Sequence, residues 1–279
     1  MIISVPASSA NLGPGFDTLG LALSMPFLCR LGPAADGRVE TEGHPAVVAF
    51  RRMGGTGELS TKTSIPSGRG LGFSGAARVA GCLAAVVQRD GAAVQFADYS
   101  DDVFGVSAEL EGHADNVAAS LYGGCIATAA GRVVSIPLPV QPAVVVWIPP
   151  SQTSTDAARR TLPPTVPHAD AAFNVGRVAL LVAALATGDI DALRDAAQDC
   201  LHQEYRLHAS PASRLAIAAA LEAGAWSAWL SGSGPTVAAF CAPEQARHII
   251  DSLPQGGRAQ QLRIDTDGAR LMDDYQPGP

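Results

Sequence analysis

Three glycine- and serine-rich segments carry residue types that could bind an anion: Pro6–Asp17, residues 66–76 and Ser231–Thr236. Glycine removes the Cβ atom and lets backbone N–H groups approach a phosphate, and the start of a following helix adds about half a positive charge. Residues 66–76 precede an alanine-rich stretch of helix-forming composition, with Ser74 where an N-cap could lie. One such turn is a weak signal, but three in one chain indicate a shared cleft for an anion or nucleotide.

The middle segment also matches a competing motif. Residues 70–75 fit the pattern G-x-G-x-x-G of dinucleotide-binding folds, with Asp90 near the position of the ribose-binding acid. However, Pro66 and Ser67 interrupt the strand that should precede that motif, and no second strand separates the helix from Asp90. A Walker-type loop needs Gly-Lys-Ser/Thr, whereas Lys62 is the single lysine of the sequence. Both common nucleotide-binding folds are therefore disfavoured.

Composition restricts the class of protein. The chain has 279 residues, of which 47% are hydrophobic and 16% charged, with a net charge of −7. This content excludes a disordered chain, and the negative charge argues against a nucleic-acid partner. We find no signal peptide and no apolar run of about 18 residues, so we expect a cytoplasmic protein without a membrane partner. The five cysteines lie far apart and are expected to be buried and reduced.

Hydrophobic patterning predicts strands and helices that alternate irregularly, without an internal repeat. We expect strands at 2–5, 19–23, 143–148, 226–230, 236–241 and 259–264, and helices at 45–53, 74–88, 105–121, 170–187, 189–204, 211–223 and 243–252. Pro6 should end the first strand, and residues 111–113 should interrupt the third helix. A boundary between residues 141 and 142 then gives two α+β domains, 1–141 and 142–279.

Several ordered segments resemble the GHMP kinases. Val5–Asp17, Pro66–Ala77 and Leu230–Val237 look like the three superfamily motifs, and Glu109–Val117, Thr153–Arg159 and His202–Arg206 resemble those of homoserine kinases more specifically. The likeness runs from residue 2 to about residue 270. It implies an N-terminal mixed α/β domain that binds ATP and a C-terminal ferredoxin-like α/β sandwich. It further implies Mg²⁺-assisted transfer of a phosphate from ATP to the hydroxyl of L-homoserine, a step of threonine biosynthesis.

The resemblance also assigns residues to the nucleotide and the metal. It implies that ATP is surrounded by Pro66, Ser67, Gly68, Arg69, Gly70, Leu71, Gly72, Phe73, Ser74, Gly75 and Ala76. It implies Mg²⁺ ligands at Ser74 and Glu109, with Glu111 as the less favoured carboxylate. A hydroxyl, one carboxylate, phosphate oxygens and water make a typical magnesium shell.

For the amino acid, the resemblance implies acceptors for the ammonium at Asp17 and Asn116 and donors to the carboxylate at Arg159 and Arg206. Thr155 would line the same pocket. The implied catalytic residues are Asn11, which would orient the hydroxyl, Arg159 and His113, the last favoured as a network residue over a general base. The remaining histidines, His202 among them, show no metal-ligand spacing and are assigned no function.

The middle segment departs from the superfamily pattern, which reads Gly-Leu-Gly-Ser-Ser-Ala-Ala. Phe73 replaces the first serine and Gly75 the following alanine, which removes one phosphate contact and could let the bulky ring crowd the loop. Two alternatives therefore stay open. One is a kinase of another small hydroxylated acid, and the other is a degenerate relative that binds ligand without catalysis. A homodimer is compatible with either.

Overall fold

The computed structural model describes residues 1–272. Its strands are β1 (Ile2–Ala10), β2 (Leu19–Leu31), β3 (Arg38–Val39), β4 (Leu59–Thr63), β5 (Cys125–Ala129), β6 (Arg132–Ile136), β7 (Ala143–Ile148), β8 (Ser227–Leu230), β9 (Val237–Cys241), β10 (Arg258–Leu262) and β11 (Arg270–Met272). Its helices are α1 (Pro45–Arg52), α2 (Phe73–Asp90), α3 (Ser100–Glu111), α4 (Asp115–Tyr122), α5 (Thr155–Arg160), α6 (His168–Thr187), α7 (Leu193–Ala196), α8 (Gln203–His208), α9 (Pro211–Glu222) and α10 (Ala246–Ser252).

The first sheet has the strand order β11-β1-β2-β4-β3, and β5 pairs with β2 and carries β6 beside it. Helix α2 packs on β1 and β2 and is flanked by α1, α3 and α4. Alanine and valine dominate the buried face of α2, and such small side chains let a helix approach a sheet closely. The start of α2 consequently lies beside β1, where Ser8 N donates to Leu71 O at 3.2 Å.

The second sheet has the order β10-β7-β9-β8, which is 4-1-3-2 in the chain order of its own strands. Helices α9 and α10 pack on this sheet. Because side chains alternate across a strand, Val145 and Trp147 of β7 join the core beneath these helices, whereas Val144 and Val146 join the larger core shared with the first sheet. The predicted α+β architecture, with a ferredoxin-like C-terminal sandwich, is confirmed.

The boundary between residues 141 and 142 stays a prediction. It falls between β6 and β7, yet β11 from the second predicted domain pairs with β1 in the first sheet. Ile264 also forms a bridge to Leu23 of β2. The chain therefore returns to the first sheet after β10. Residues 273–279 of the second predicted domain lie outside the described residues.

The prediction that Pro6 ends the first strand is wrong, because β1 continues to Ala10. Pro6 lies opposite Pro26 of β2, and the register shifts between Pro6 and Ala7. Proline lacks an N–H group, so neither Pro6 nor Pro26 can donate to the ladder, and the register shift beside them interrupts the regular pairing without ending the strand. The longer strand brings the end of β1 directly to the first glycine-rich segment.

The single helix predicted over 189–204 is also wrong. Within this range α7 covers only Leu193–Ala196, and α8 begins at Gln203. The Asp199 carboxylate accepts the N–H groups of Leu201, His202 and Gln203 at 3.0, 3.0 and 2.7 Å. These hydrogen bonds to nearby backbone N–H groups are those of an Asx turn, so the chain turns at Asp199 before α8 begins at Gln203 instead of continuing α7.

Helix α6 is long and apolar enough, by length and composition, to cross a membrane, with a mean hydropathy of 1.5 over an 18-residue window. In the part of the chain that the structure describes, it is the one helix with these properties. Its buried residues are Asn174, Leu181, Ala184 and Leu185, and it packs against α7. Length and composition are a weak indication of a membrane span, since core helices share them.

Candidate active site

The three glycine-rich segments meet, and two glycines allow the close approach. A Cβ on Gly70 would lie 2.2 Å from Ser231 O, and one on Gly72 would lie 2.0 Å from Ser8 Oγ. Both glycines have left-handed φ values of 74° and 67°. Gly232 N donates to Ala10 O at 3.1 Å, which joins the first segment to the third. Any larger residue at positions 70 or 72 would force these segments apart.

A cavity of about 180 Å³ lies between the segments and collects most of the predicted site residues. Those that line it are Asn11, Asp17, Pro66, Ser67, Gly68, Arg69, Gly70, Leu71, Gly72, Phe73, Ser74, His113, Asn116, Thr155, Arg159 and Arg206. Gly75 and Ala76 are buried in the first turn of α2. Glu109 is absent from the lining, which instead includes Glu111.

Helix α2 begins at this cavity. Gly72 precedes the helix without a side-chain cap, and the first helical bond runs from Ala76 N to Gly72 O at 2.9 Å. The N–H groups of Phe73, Ser74 and Gly75 therefore have no partner within the helix. Ser74 lies inside the first turn, so its predicted N-cap position is wrong. The arrangement is suited to an anion, because the unpaired N–H groups and the helix dipole act together.

Arg69 fastens this loop to the second sheet. Its Nε donates to Pro149 O at 3.1 Å and its Nη2 to Pro150 O at 2.9 Å, just after β7. Thr153 N donates to Gly68 O at 2.8 Å in the same region. The Arg69 side chain thus holds the loop in place at the rim of the cavity.

The Phe73 ring lies at the boundary between two cavities. It lines the cavity described above and a second one of about 660 Å³, which is also lined by Arg38, Glu40, Thr41, Gly43, His44, Pro45, Thr61 and Thr63. The ring packs edge-on against Phe27 and His44, with centroids 5.7 and 5.8 Å apart. Burial lowers the pKa of His44, whose Nδ1 accepts from Ala46 N at 3.2 Å. Aromatic packing therefore holds Phe73 as a partition between the cavities.

Glu111, rather than the predicted Glu109, faces Ser74. The Ser74 hydroxyl donates to Glu111 Oε2 at 2.6 Å, and Arg78 contacts both the Glu111 carboxylate and Ser74 Oγ. Glu109 points away and pairs with Arg52 at 3.3 Å on the surface, with 64% of its side chain exposed. Two residues along a helix differ by about 200° in direction, so only one of the two carboxylates can face the cavity.

His113 lies between two carboxylates. Its Nδ1 is 2.8 Å from Asp115 Oδ1, and its Nε2 is 3.8 Å from Glu111 Oε1. Asp115 is 2% exposed, lines the cavity and also accepts from Asn116 N at 2.8 Å. Sequence reasoning missed Asp115, although its place between His113 and Asn116 was a usable signal. Asn116 Oδ1 in turn accepts from Ser8 Oγ at 2.9 Å.

Two cations and one anion form the opposite end of the cavity. Arg159 Nη2 donates to Asp17 Oδ1 at 2.6 Å, and each side chain is 36% exposed. Arg206 is 5% exposed, and burial together with the nearby Arg159 lowers its pKa to about 10. The Phe16 ring lies 5.4 Å from Arg159 Cζ and 5.1 Å from Arg206 Cζ. Two guanidinium groups on one ring favour an anionic ligand between them.

Asn11 holds the turn that carries Asp17. Its Nδ2 donates to Gly232 O at 2.9 Å, and its Oδ1 accepts from Asp17 N at 3.1 Å. Asn11, Leu12 and Asp17 all adopt positive φ, at 72°, 48° and 56°. Such conformations are strained for residues other than glycine and tend to occur at functional sites. Thr155 lies at the start of α5, after the N-cap residue Ser154, and is exposed on the cavity rim.

Comparisons with known proteins show the family to which the chain belongs. The family model GHMP kinases N terminal domain matches residues 43–124, and the model GHMP kinases C terminal matches residues 181–259. A homoserine kinase of Thermus thermophilus is 39% identical over 266 residues, covering 89% of each chain. One of Gloeobacter violaceus is 39% identical over 300 residues, covering 97% of this chain and 98% of its own.

A crystal structure of homoserine kinase from Cytophaga hutchinsonii superimposes with a TM-score of 0.84 at 27% identity, covering 98% of this chain and 97% of the other. The similarity thus spans both sheets and the cavity between the glycine-rich segments. The chain belongs to the homoserine kinase family of the GHMP kinases.

Proposed function

We propose that this protein transfers the γ-phosphate of ATP to the side-chain hydroxyl of L-homoserine, giving O-phospho-L-homoserine and ADP. One observation carries the proposal: a single cavity has an anion-binding helix start at one end and the charge pattern of an amino-acid site at the other. Phosphoryl transfer requires mainly alignment and charge stabilisation, and both ends supply these.

The loop of residues 66–76 would hold the phosphates of ATP. Its glycines bring backbone N–H groups to the cavity, and the start of α2 adds its dipole, so no lysine is needed. The Phe73 ring lines this space but does not fill it, because the ring packs on Phe27 and His44. The second cavity, beyond Phe73, is large enough to receive the base. We call residues 66–76 the nucleotide end.

Ser74 and Glu111 fit a magnesium site. Their oxygen atoms are hydrogen-bonded beside the loop, and Mg²⁺ prefers a few protein oxygen ligands with phosphate and water. Bound there, the ion would neutralise charge on the phosphates. Glu111 replaces Glu109 in this proposal because Glu109 lies on the surface.

Asp17, Arg159 and Arg206 would bind the amino acid, and we call them the amino-acid end. Homoserine carries one ammonium and one carboxylate. Its ammonium would pair with the Asp17 carboxylate, which now pairs with Arg159, and would have Asn116 beside it. Its carboxylate would accept hydrogen bonds from Arg159 and Arg206. The zwitterion would thus insert into an existing ion pair and leave each charge paired. Thr155 would close the rim of this pocket.

The reaction forms a bond between the homoserine hydroxyl oxygen and the γ-phosphorus and breaks the bond from that phosphorus to the leaving oxygen of ADP, and the hydroxyl proton passes to a phosphoryl oxygen and then to water. Asn11 would orient the hydroxyl, since its amide is fixed by Gly232 O and Asp17 N. His113 would keep the Asp115 and Glu111 carboxylates in position rather than act as a general base. Arg159 would hold the amino acid in line for the transfer.

The test is ADP release and ³¹P NMR detection of product with L-homoserine and two truncated analogues. 4-Hydroxybutyrate lacks the ammonium and 3-aminopropan-1-ol lacks the carboxylate. Each deletion removes a charged hydrogen-bonding group, so we expect kcat/KM to fall by about 10- to 100-fold for each. Mevalonate should not be a substrate.

Two outcomes would favour the alternatives. Equal turnover of 4-hydroxybutyrate and L-homoserine would mean that Asp17 does not select an ammonium and that the substrate is another hydroxylated acid. Absence of ATP–Mg²⁺ binding at millimolar concentration in calorimetry would mean a relative without catalysis. A cytoplasmic location and a homodimer stay predictions, for fractionation and light scattering to decide.

A further inference from the structure

His202 lies outside the cavity and beneath the amino-acid end, where no solvent reaches its side chain. Its Nε2 is 2.7 Å from Gly13 O, in the turn before Asp17, and its Nδ1 is 3.1 Å from Arg206 Nη1. The ring also stacks on Phe16, with centroids 5.2 Å apart. A histidine that seemed unremarkable in the sequence therefore touches three parts of this end.

The protonation state of His202 follows from its partners. A carbonyl oxygen can only accept a hydrogen bond, so Nε2 must carry the proton toward Gly13 O. A guanidinium nitrogen can only donate, so Nδ1 must be the unprotonated acceptor for Arg206. A second proton on Nδ1 would point at the Arg206 N–H group in a buried site. The ring is consequently neutral and in one tautomer.

Burial and the Arg206 guanidinium lower the pKa of His202 and favour the neutral ring, whereas the Asp199 and Asp17 carboxylates act in the opposite direction. Asp199 Oδ2 lies 3.7 Å from Nε2, and its carboxylate already accepts three backbone N–H groups. Arg206 and, farther away, Asp17 are the other charged groups whose fields reach the ring. Arg206 has one further fixed partner, Gly232 O, at 3.0 Å. His202 thus supplies a side-chain acceptor that directs this guanidinium.

We propose that His202, as the neutral Nε2–H tautomer, is the positioning residue that holds Arg206 in place to receive the substrate carboxylate. This inference rests on the proposed function for the identity of the anion, but the Gly13–His202–Arg206 connection does not depend on it. His202 touches no substrate; it acts through Arg206. It also joins Arg206 to the turn that carries Asp17. One ring therefore fixes the relative positions of the groups that would bind the carboxylate and the ammonium of the substrate.

Two substitutions separate the two hydrogen bonds. Asparagine places an acceptor near the position of Nδ1, so His202→Asn keeps a partner for Arg206 and loses the Gly13 bond. Glutamine reaches the position of Nε2, so His202→Gln keeps the Gly13 bond and loses the acceptor. We expect His202→Gln to raise the KM for L-homoserine about tenfold or more, since a hydrogen bond to a charged group is lost, with kcat and the KM for ATP little changed. His202→Asn should lie nearer the unsubstituted protein.

The matched control is His208→Gln at the end of α8, where His208 is exposed and its Nδ1 lies 2.6 Å from Glu204 O. We expect it to leave all kinetic constants unchanged. Equal rises in the KM for homoserine and ATP in both His202 variants would indicate general loss of structure and overturn the proposal. So would a His202→Gln protein with an unchanged KM for homoserine.

A measurement on the unsubstituted protein tests the connection without any substrate. Two-bond ¹H–¹⁵N correlation spectra near neutral pH should show His202 neutral, with the proton on Nε2 and an accepting Nδ1. Arg206→Lys should shift the Nδ1 resonance and leave that of Nε2 largely in place. An imidazolium ring or the Nδ1–H tautomer would overturn the proposal. If homoserine is not phosphorylated but these spectra are as expected, the proposed function fails while the positioning of Arg206 stands.

Discussion

The two ends of the cavity are built from different chemical groups. The nucleotide end consists of backbone: glycine-lined turns, unpaired N–H groups and a helix start. The amino-acid end consists of charged side chains from three separate segments, Asp17, Arg159 and Arg206. A backbone site depends on the shape of the loop and tolerates an altered side chain such as Phe73. A side-chain site depends on individual charges, so one substitution there should remove most of the binding.

The largest effect is expected for Arg206→Ala, at the amino-acid end. It removes a buried guanidinium that contacts Gly232 O and His202 Nδ1. Losing one partner of a buried charged site costs about 3–5 kcal/mol, so kcat/KM for homoserine should fall by at least 100-fold. The KM for ATP should stay nearly constant in the same steady-state assay.

The control is Arg214→Ala, which removes an exposed ion pair with Glu204 and should change little. If Arg206→Ala weakens ATP as much as homoserine, the two ends are not separate sites.

Gly70→Ala should have the next largest effect, at the nucleotide end. The new Cβ would lie 2.2 Å from Ser231 O, so the loop must move. Overpacking of this kind costs about 1–3 kcal/mol, and we expect the KM for ATP to rise and the melting temperature to fall.

Gly68→Ala is the matched control, because Gly68 has a similar φ of 69° but its nearest contact would be 3.5 Å away. Backbone strain alone predicts equal effects of the two substitutions, and that result would contradict the role given to close approach.

Glu111→Gln tests the proposed magnesium site, which lies between the two ends of the cavity. It removes the charge that Ser74 and Arg78 contact, and we expect the Mg²⁺ concentration for half-maximal rate to rise about tenfold. Glu109→Gln on the same helix should leave it unchanged, because that side chain forms an exposed pair with Arg52. The opposite ranking in a Mg²⁺ titration would restore the sequence-based choice of Glu109.

Each side of the site holds a histidine that burial keeps neutral, His44 beside Phe73 and His202 beneath Arg206. In both, burial lowers the pKa below the ordinary value of 6.5. As the pH falls below 6.5 the unfolded chain takes up protons that the folded chain does not, so the free energy of unfolding should decrease. Denaturant titrations above and below this pH should show the loss, and His44→Asn and His202→Asn should each reduce it. A pH-independent stability would contradict both assignments.

Phe73→Ser should have the smallest effect on catalysis, although it restores a hydroxyl typical of the superfamily. A hydroxyl that donates to a charged phosphate contributes about 1.5 kcal/mol at the low end of the range for such bonds, so the KM for ATP should change by no more than about tenfold. Loss of the ring contacts with Phe27 and His44 should lower stability by about 1 kcal/mol. A large gain in ATP affinity would show that the ring obstructs the nucleotide end.

Patterns within short stretches were sufficient for much of the fold. Strand β7, helix α1 and the break between α3 and α4 follow from a continuous apolar run, from composition and from a glycine at the helix end, Gly112, respectively. The exceptions at Pro6 and Asp199 have different causes. At Pro6 the pairing with a distant strand extends β1, whereas at Asp199 a side chain bonds to nearby backbone N–H groups and turns the chain.

The sequence by itself determined the residue types of the site: three glycine-rich turns, an acid and two arginines in a recognisable order. Only the tertiary structure decided which of them meet. Asp17 and Arg159 are 142 positions apart, and Glu111 rather than Glu109 faces Ser74 because of the rotation of one helix. Backbone preferences act over a few residues, whereas contacts between distant segments depend on how whole sheets and helices pack. His202 became visible as a functional residue for the same reason.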